Sequence, residues 1–262
     1  MELGIYLYRS KMATAEEQVK LFKKYGINHT FIKSNRSDFY ELMTLFRENG
    51  ITCDTLHAPY KGINNMWGDD EEAGSAMLAE LTDSVDKCAK YQIPTTIVHL
   101  SSGRPMPEIA PAGIARYETL FAYAREKGVT VALENLHYAE NLSYFLDNYP
   151  ECAFCWDCGH EYAYSHERYI PKYGHRLGAL HLHDNRCGID TDDHLLPFDG
   201  SIPMEQVAKD IAQSGYAGTL MLEIGRSKMH TYDDMSEEDY IERAVAAANK
   251  LNDLVESAKL AK

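Results

Sequence analysis

Histidine and glutamate side chains recur at the ends of short apolar segments between residues 57 and 134 of this sequence. His57 follows one segment in TLHAPY, His99 another in TIVHL, and Glu134 a third in VALEN. Imidazole nitrogens and carboxylate oxygens are ligands that zinc and other divalent ions take in proteins. They are also the groups that most often act as general acids and bases. The residue types therefore indicate metal binding, proton transfer, or both.

Seven more groups of these types follow in the second half of the chain. They are Asp157 and His160 in WDCGH, His181 and His183 in LHLHDN, Asp192 and His194 in DTDDHLL, and Glu223 in LMLEI. Each alone has an ordinary explanation, since a strand-end histidine is often a packing residue and a strand-end carboxylate often half of an ion pair. Gathered at one place, they would repel or stay unsatisfied unless a cation neutralised them. We therefore predict a divalent-metal site.

Three cysteines in ECAFCWDCGHEY (residues 151–162) offer a different metal site, a thiolate cluster for zinc or iron–sulfur. In an extended strand Cys152 and Cys155 point to opposite faces, and no fourth cysteine lies nearby in sequence. Free cysteine is also a frequent small core residue. We interpret these cysteines as packing residues, so the chemistry of the stretch falls on Asp157 and His160.

Eight short apolar segments alternate with helical patterns along the chain. They cover residues 3–8, 27–33, 51–58, 94–100, 128–135, 152–157, 178–184 and 219–225. Near-continuous apolar, β-branched character is typical of parallel strands buried on both faces. Thr14 and Glu17 have the spacing of a capping box for the first helix, and Ser236 has the position of an N-cap for the last.

Eight strand–helix units in 262 residues average about 33 residues each, the size of a βαβ repeat. No linker or low-complexity segment divides them, so we predict an α/β fold with one (β/α)8 barrel domain over residues 1–262. An open, doubly wound sheet is the alternative, but no glycine-rich phosphate loop follows the first strand. In a barrel the carboxyl ends of the strands converge on one mouth, where the groups above would meet.

Composition limits the partners. The formal charge of -14, from 26 Lys+Arg and 40 Asp+Glu, argues against a nucleic-acid partner. We expect no signal peptide, no membrane attachment and a cytoplasmic location, since no run approaches the roughly 18 apolar residues that a membrane helix requires. Six cysteines in such a chain suit a reduced compartment. Whether copies of the chain form a homo-oligomer stays open.

The motifs VALENL, WDCGH, LHLHDN, DDHLLPFDGSI and LMLEI together resemble the xylose-isomerase-like TIM barrels. That superfamily holds sugar isomerases and epimerases, inosose dehydratases, and the endonuclease IV group of abasic-site nucleases. The resemblance runs from His57 to Glu223. For the sugar epimerases it implies one divalent ion held by Glu134, Asp157, His181 and Glu223. The family spacing His-x-x-Asp, here His181 to Asp184, selects His181 over His183.

The same resemblance also allows a larger set of metal ligands. The three-zinc pattern of endonuclease IV is also matched, and it adds His57, His99, His160, Asp192 and His194. We find no basic, aromatic-interleaved loop that could track a phosphate backbone, which disfavours the nuclease. In an epimerase His160 and His183 would instead contact substrate hydroxyls. The cofactor implied is a divalent metal (Mn, Zn, Mg or Co), with one to three ions.

The resemblance implies a metal-dependent isomerase or epimerase that acts on a ketose, a sugar phosphate or a cyclitol. Glu134 and Glu223 would remove and return a proton next to a metal-chelated carbonyl, with His160 as a third catalytic candidate. The alternatives are a zinc-dependent abasic-site nuclease, a dehydratase or other lyase on the same metal, and a protein that binds sugar without turnover.

Three residues outside the ligand sets are predicted to contact substrate. Tyr60 and Trp67 lie in the loop after the third strand, and aromatic faces stack well on the C–H surfaces of sugars. Arg226 follows the eighth strand, where barrel phosphate sites often form. Gly200 is expected to permit a tight turn before a helix that begins near residue 203.

Overall fold

The computed structural model of the protein describes residues 1–165, 167–188, 191–226 and 230–261. Its strands are β1 (Leu3–Ile5), β2 (His29–Lys33), β3 (Thr52–His57), β4 (Thr95–Val98), β5 (Thr130–Glu134), β6 (Ala153–Asp157), β7 (Leu177–His181) and β8 (Leu220–Leu222). They form one parallel sheet in the order β7-β6-β5-β4-β3-β2-β1-β8. Seven of the eight segments predicted as strands contain one of them, and the seventh segment overlaps β7, which begins one residue earlier at Leu177.

The two ends of this sheet meet. Leu182 bridges Leu222 in parallel, with the Leu182 N–H donating to Met221 O (2.9 Å) and the Glu223 N–H donating to Leu182 O (3.0 Å). Closure removes both sheet edges and brings every strand's carboxyl end to one rim. The predicted (β/α)8 barrel is confirmed.

Helices lie between the strands and pack around the barrel. They are α1 (Ala15–Lys24), α2 (Phe39–Asn49), α3 (Glu71–Tyr91), α4 (Pro111–Lys127), α5 (Ala139–Asn148), α6 (Cys158–His160), α7 (Ile170–Tyr173), α8 (Met204–Ser214) and α9 (Glu237–Leu260). The capping box of α1 is present, because the Glu17 N–H donates to Thr14 Oγ1 (3.3 Å) and the Thr14 N–H to Glu17 Oε2 (2.8 Å). Ser236 caps α9. No helix in the described ranges is long and apolar enough to cross a membrane.

The apolar core has two parts. The larger lies between sheet and helices and includes Cys152, while a small cluster takes one residue from each of β4 to β7, namely Ile97, Ala132, Cys155 and Ala179. Cys152 and Cys155 therefore lie on different sides of the sheet. Burial raises the pKa of each of these two thiols to about 12, so both stay protonated and packed.

Candidate active site and metal centre

The carboxyl ends of the strands surround a cavity of about 740 Å³. Six strands end in, or are followed at once by, a metal-type side chain. Four of these line the cavity, namely His57 (β3), His99 (β4), Glu134 (β5) and Glu223 (β8), while Asp157 (β6) and His181 (β7) are buried. Ligand atoms of Glu134, Asp157, His181 and Glu223 all lie within 4.8 Å of one another. Barrel closure thus gathers residues that are far apart in sequence.

Glu134 is the centre of the first group. Its Oε1 lies 3.0 Å from His181 Nδ1, and its Oε2 lies 2.8 Å from His99 Nε2 and 3.3 Å from His57 Nε2. The same nitrogen, His181 Nδ1, also lies 3.1 Å from Glu223 Oε2. One buried carboxylate therefore contacts three imidazoles, and a second carboxylate shares one of them.

A second group adjoins it around two aspartates. Asp157 Oδ1 lies 3.2 Å from His183 Nε2, and Asp157 Oδ2 lies 3.6 Å from His160 Nδ1. Asp192 Oδ1 lies 3.0 Å from His194 Nε2, 3.7 Å from His183 Nε2 and 3.8 Å from His160 Nε2. The structure thus brings His183, which the family spacing set aside, next to the residues of the larger ligand set.

Four of these histidines are oriented by the main chain. Nδ1 faces a carbonyl oxygen in each: His57 to Ala58 (2.8 Å), His160 to Asn135 (3.0 Å), His183 to Asp184 (3.4 Å) and His194 to Glu223 (2.7 Å). Donation from Nδ1 leaves Nε2 as the free nitrogen, and metal-binding histidines are commonly held this way. In three of them, His57, His183 and His194, Nε2 points at the nearest carboxylate.

Several buried ligand-type atoms make no hydrogen bond of acceptable geometry among the described residues: Asp157 Oδ2, His181 Nε2, His183 Nε2 and, despite its 2.8 Å approach to His99 Nε2, Glu134 Oε2. Buried polar atoms are normally paired, so this concentration at one place needs an explanation. Carboxylate oxygens and imidazole nitrogens at mutual distances of 4.8 Å or less fit the ligand set of a divalent cation.

Protons on three imidazoles balance the carboxylates when no cation does: the pKa values of His160, His181 and His183 are raised despite burial, whereas burial lowers the pKa of His99. Burial alone would raise the pKa of Glu134, but His181 and His99 outweigh it and hold that pKa well below its ordinary value. Burial likewise opposes charge on His183, yet Asp157 above all raises the pKa of His183 to about 9. A metal ion needs the imidazole nitrogen deprotonated, so ion and proton compete for these atoms.

Metal binding is therefore expected to release protons and to tighten as the pH rises from about 6 to about 8, because fewer imidazole protons then have to be displaced. Calorimetric titration of the metal-free protein with Zn²⁺ in two buffers of different ionisation enthalpy counts the protons released. An affinity that does not change with pH, with no protons released, would show that these imidazoles do not ligate the ion.

The loop that carries Asp192 and His194 is held by a buried carboxylate. Asp184 accepts main-chain N–H groups at 2.8 to 3.0 Å from Asn185, Phe198, Gly200 and Ile202. A Cβ on Gly200 would lie 2.4 Å from Asn185 O and from Asp184 Oδ1. Glycine is required there by this close approach and not by a positive φ, and the helix expected near residue 203 begins at Met204.

Of the three residues predicted to contact substrate, Tyr60 and Arg226 line the cavity and Trp67 does not. Tyr60 lines the cavity, and its ring stacks on His99 with centroids 4.7 Å apart. Arg226 also lines it, but its guanidinium donates to Glu237 Oε2 (2.8 Å) and to the carbonyls of Tyr232 and Met235. Arg226 thus ties the loop after β8 to the start of α9.

Trp67, in contrast to expectation, does not lie at the cavity. It is buried, its indole N–H donates to Leu100 O (2.6 Å), and its ring lies 5.2 Å from that of Tyr117. Gly113 on α4 makes room for it, since a Cβ there would be 2.2 Å from the indole. Trp67 therefore fastens the loop after β3 to the helix layer.

Lys33, Tyr6, His137 and Tyr164 line the cavity and were missed by sequence reasoning. Lys33 is the last residue of β2, so the strand-end rule that found His57 applies to it equally. It was passed over because lysine is not a metal ligand. Asn135 was also missed: its side chain bonds both the N–H and the carbonyl of Asp157 at 2.8 Å, which fixes the ends of β5 and β6 together.

The fold and this centre together define a (β/α)8 barrel with a carboxylate–imidazole cluster at its carboxyl-terminal mouth. The chain belongs to the xylose isomerase-like TIM barrel family, whose model matches residues 15–251. It is also 29% identical over 197 residues to the uncharacterized protein y4fM of Sinorhizobium fredii, an alignment that covers 68% of this chain. The chain spans 61% of the length of that curated relative.

Solved structures share the fold along nearly the whole chain. A D-tagatose 3-epimerase-like protein superposes with a TM-score of 0.76 at 17% identity, covering 98% of each chain. The IOLI protein with a binding zinc atom gives 0.75 at 16% identity, covering 98% of this chain and 99% of the other. A D-psicose 3-epimerase with D-tagatose from Clostridium cellulolyticum gives 0.71 at 18% identity, covering 99% of both.

Proposed function

We propose that this protein is a metal-dependent isomerase or epimerase of a ketose, a sugar phosphate or a cyclitol. The observation that carries the proposal is the approach of ligand atoms of Glu134, Asp157, His181 and Glu223 to within 4.8 Å of one another, and two of these residues, Glu134 and Glu223, line the cavity. The family assignment and the shared fold of structures named as D-tagatose 3-epimerase-like and D-psicose 3-epimerase support it.

Glu134 and Glu223 are suited to move the proton. When bound, a divalent ion supplies Lewis-acid stabilisation of the negative charge that develops on the substrate oxygens. The two carboxylates flank His181 Nδ1 at 3.0 and 3.1 Å, and both line the cavity. The neighbouring imidazoles outweigh the effect of burial and lower both pKa values, so both groups are ionised and able to accept a proton. One ionised carboxylate removes the proton next to the carbonyl, and the same group can return that proton to the next carbon. Return to the opposite face requires that the other carboxylate has first taken up a proton from solvent.

In this mechanism His160 would hold substrate hydroxyls. It lines the cavity, and its main-chain N–H donates to Asp157 Oδ1 (2.7 Å), which fixes its position relative to the metal ligands. Burial opposes charge on the ring, but Asp157 and Asp192 outweigh it and raise the pKa of His160. A ring held in this way donates hydrogen bonds to substrate oxygens and positions the carbon chain over the two glutamates.

A zinc-dependent abasic-site nuclease is the second candidate, because the larger ligand set also forms compact groups. His57, His99 and Glu134 make one such group, and Asp192 and His194 make another together with His183, which that ligand set does not include. Two or three zinc ions so placed would activate water for phosphodiester hydrolysis. The formal charge of -14 opposes DNA binding, so the isomerase stands first.

Solvent-deuterium uptake tests the proposal directly. Metal-loaded protein in D₂O is expected to exchange the hydrogen next to the carbonyl of a ketose or ketose phosphate, as followed by proton NMR, and EDTA should stop the exchange. Metal content per chain and nicking of an abasic oligonucleotide are measured on the same preparation. About three zinc ions with nicking would favour the nuclease, and loss of water from the product would favour a lyase. No exchange across a broad ketose panel would overturn the isomerase.

A further inference from the structure

Lys33 is a cavity-lining cation for which the proposed mechanism has no use. It is the last residue of β2, pairs in register with His57, and is only partly exposed. Its ammonium donates to Tyr60 Oη (3.3 Å) and lies 4.9 Å from the centre of that ring. Within the described ranges no carboxylate comes within the 4.0 Å of an ion pair with it. A lysine ammonium is charged at neutral pH, and no ion pair of the described residues neutralises it, although the more distant Glu223 attracts it.

The wall around this ammonium is rigid. The Tyr60 ring stacks on His99 at 4.7 Å, and the Tyr6 ring stacks on Phe31 at 4.5 Å. Phe31 in turn stacks on His181 at 4.6 Å, so the wall continues into the metal centre. Tyr6 and Tyr60 add two phenolic hydroxyls that line the same cavity as Lys33. A ligand group that binds there meets a fixed set of hydrogen-bond donors, at small cost in side-chain entropy.

Charge is distributed unevenly around the cavity. Arg9 and Lys11, in the loop after β1, line the mouth on the side of β1 and β2. Arg9 is largely exposed, donates to Ser37 Oγ (3.2 Å) and stays 3.9 Å from Asp38. Glu134 and Glu223 of the candidate metal centre also line the cavity, and a bound cation would offset their charge. The wall next to β2 therefore presents positive charge to a substrate whose reacting carbons lie over Glu134 and Glu223.

We propose that Lys33 and the Tyr60 hydroxyl bind an oxyanion of the substrate, a carboxylate or a phosphate, on the part of the carbon chain beyond the reacting atoms. This inference rests on the proposed function and narrows its substrate to acidic sugars, either keto sugar acids or ketose phosphates. A partly desolvated ammonium without a carboxylate partner gains more from an anion than from a neutral hydroxyl, because charge-assisted hydrogen bonds are the stronger kind.

Equilibrium binding separates the two kinds of anion from a neutral sugar. Metal-loaded protein is titrated with D-fructose, D-fructuronate and D-fructose 6-phosphate, and with the same three forms of D-tagatose, by calorimetry. One anionic form is expected to bind about 10- to 100-fold more tightly than its neutral counterpart, as hydrogen bonds to charged groups allow. If the sugar acid binds more tightly, the oxyanion is a carboxylate. If the sugar phosphate binds more tightly, it is a phosphate.

Variants at position 33 assign this preference to the lysine. Lys33→Met keeps most of the chain length and is expected to remove the anion preference, while binding of the neutral sugar changes by less than about threefold. Lys33→Arg should retain much of the preference, and Lys20→Met, on the exposed face of α1, should leave it unchanged. If no anionic form binds more tightly than its neutral counterpart, including the case where none binds, or if the preference survives in Lys33→Met, the proposal is overturned.

This test is independent of turnover. An anion preference that depends on Lys33, without deuterium uptake from any ketose, would contradict the isomerase and leave the oxyanion subsite standing. Deuterium uptake from neutral ketoses with no anion preference would contradict the subsite and leave the isomerase standing.

Discussion

Replacing Glu134 by glutamine is expected to lower the rate of deuterium uptake by at least about 10²–10⁴-fold, the range that a lost general base costs. The substitution conserves shape but removes the charge that three imidazoles share, at 2.8 Å (His99), 3.0 Å (His181) and 3.3 Å (His57). The amide nitrogen would also turn a donor toward nitrogens or toward the ion. Metal content per chain, measured by mass spectrometry, should fall together with the rate.

The two readouts separate the roles of Glu134. Loss of metal and rate together identifies it as a ligand, whereas loss of rate with metal retained identifies it as the base. Glu126→Gln, on the exposed face of α4, is the matched control and should change neither readout. If Glu134→Gln kept its metal and more than a tenth of the rate, Glu134 would be neither ligand nor base.

The strands were predictable because an apolar pattern indicates a buried segment. Their ends were harder to predict, because burial can continue past the last residue of a strand. The first segment was expected over residues 3–8, but β1 ends at Ile5. Leu7 is buried and Tyr6 faces the cavity, so these residues keep an apolar pattern after the strand has ended. The seventh segment likewise continues past His181 into a single bridge at Leu182.

The convergence of the ligand-type residues followed from topology alone, whereas the loop residues depended on partners that no local pattern reveals. Trp67 and Tyr60 belong to one loop and are both aromatic, yet Tyr60 stacks on a histidine of the centre and Trp67 fills the space that Gly113 leaves open. Nothing in the spacing of the loop distinguishes them. Lys33 differs from these two residues, because its position at a strand end was visible in the sequence. It was not predicted as a site residue only because lysine is not a usual metal ligand.

The alternation of side chains along a strand could not predict which carboxylate His181 and His183 each contact. Both side chains point the same way, but His181 meets Glu134 and His183 meets Asp157. The room for the second ring comes from Gly159, in the helical turn after β6. A Cβ on Gly159 would lie 1.9 Å from His183 Cε1 and 2.2 Å from its Nε2. The glycine of the WDCGH motif thus makes space for a histidine that lies in another motif.

Gly159→Ala is accordingly expected to destabilise the metal-free protein by about 1–3 kcal/mol, the usual cost of overpacking a buried site. The His183 ring is fully buried and stacks on His194 at 4.2 Å, so it cannot move aside without disturbing its neighbours. Without the clash, alanine would stabilise the helical turn by about 1 kcal/mol relative to glycine. A loss of stability would therefore indicate the clash with His183, and a gain would indicate that no clash occurs. Urea unfolding measures the stability, and calorimetric titration with Zn²⁺ should show weaker binding because Nε2 of His183 is displaced.

Gly68→Ala is the matched control, since the atoms nearest to a Cβ there are 4.0 Å away, and it should change neither stability nor Zn²⁺ binding appreciably. The decisive comparison combines Gly159→Ala with His183→Ala. Once the imidazole is gone the added methyl group has space, so Gly159→Ala should cost little or nothing in that background, and the two substitutions should be strongly non-additive. A cost that is the same with and without His183 would mean that Gly159 serves the backbone of its own turn and does not make room for the second histidine.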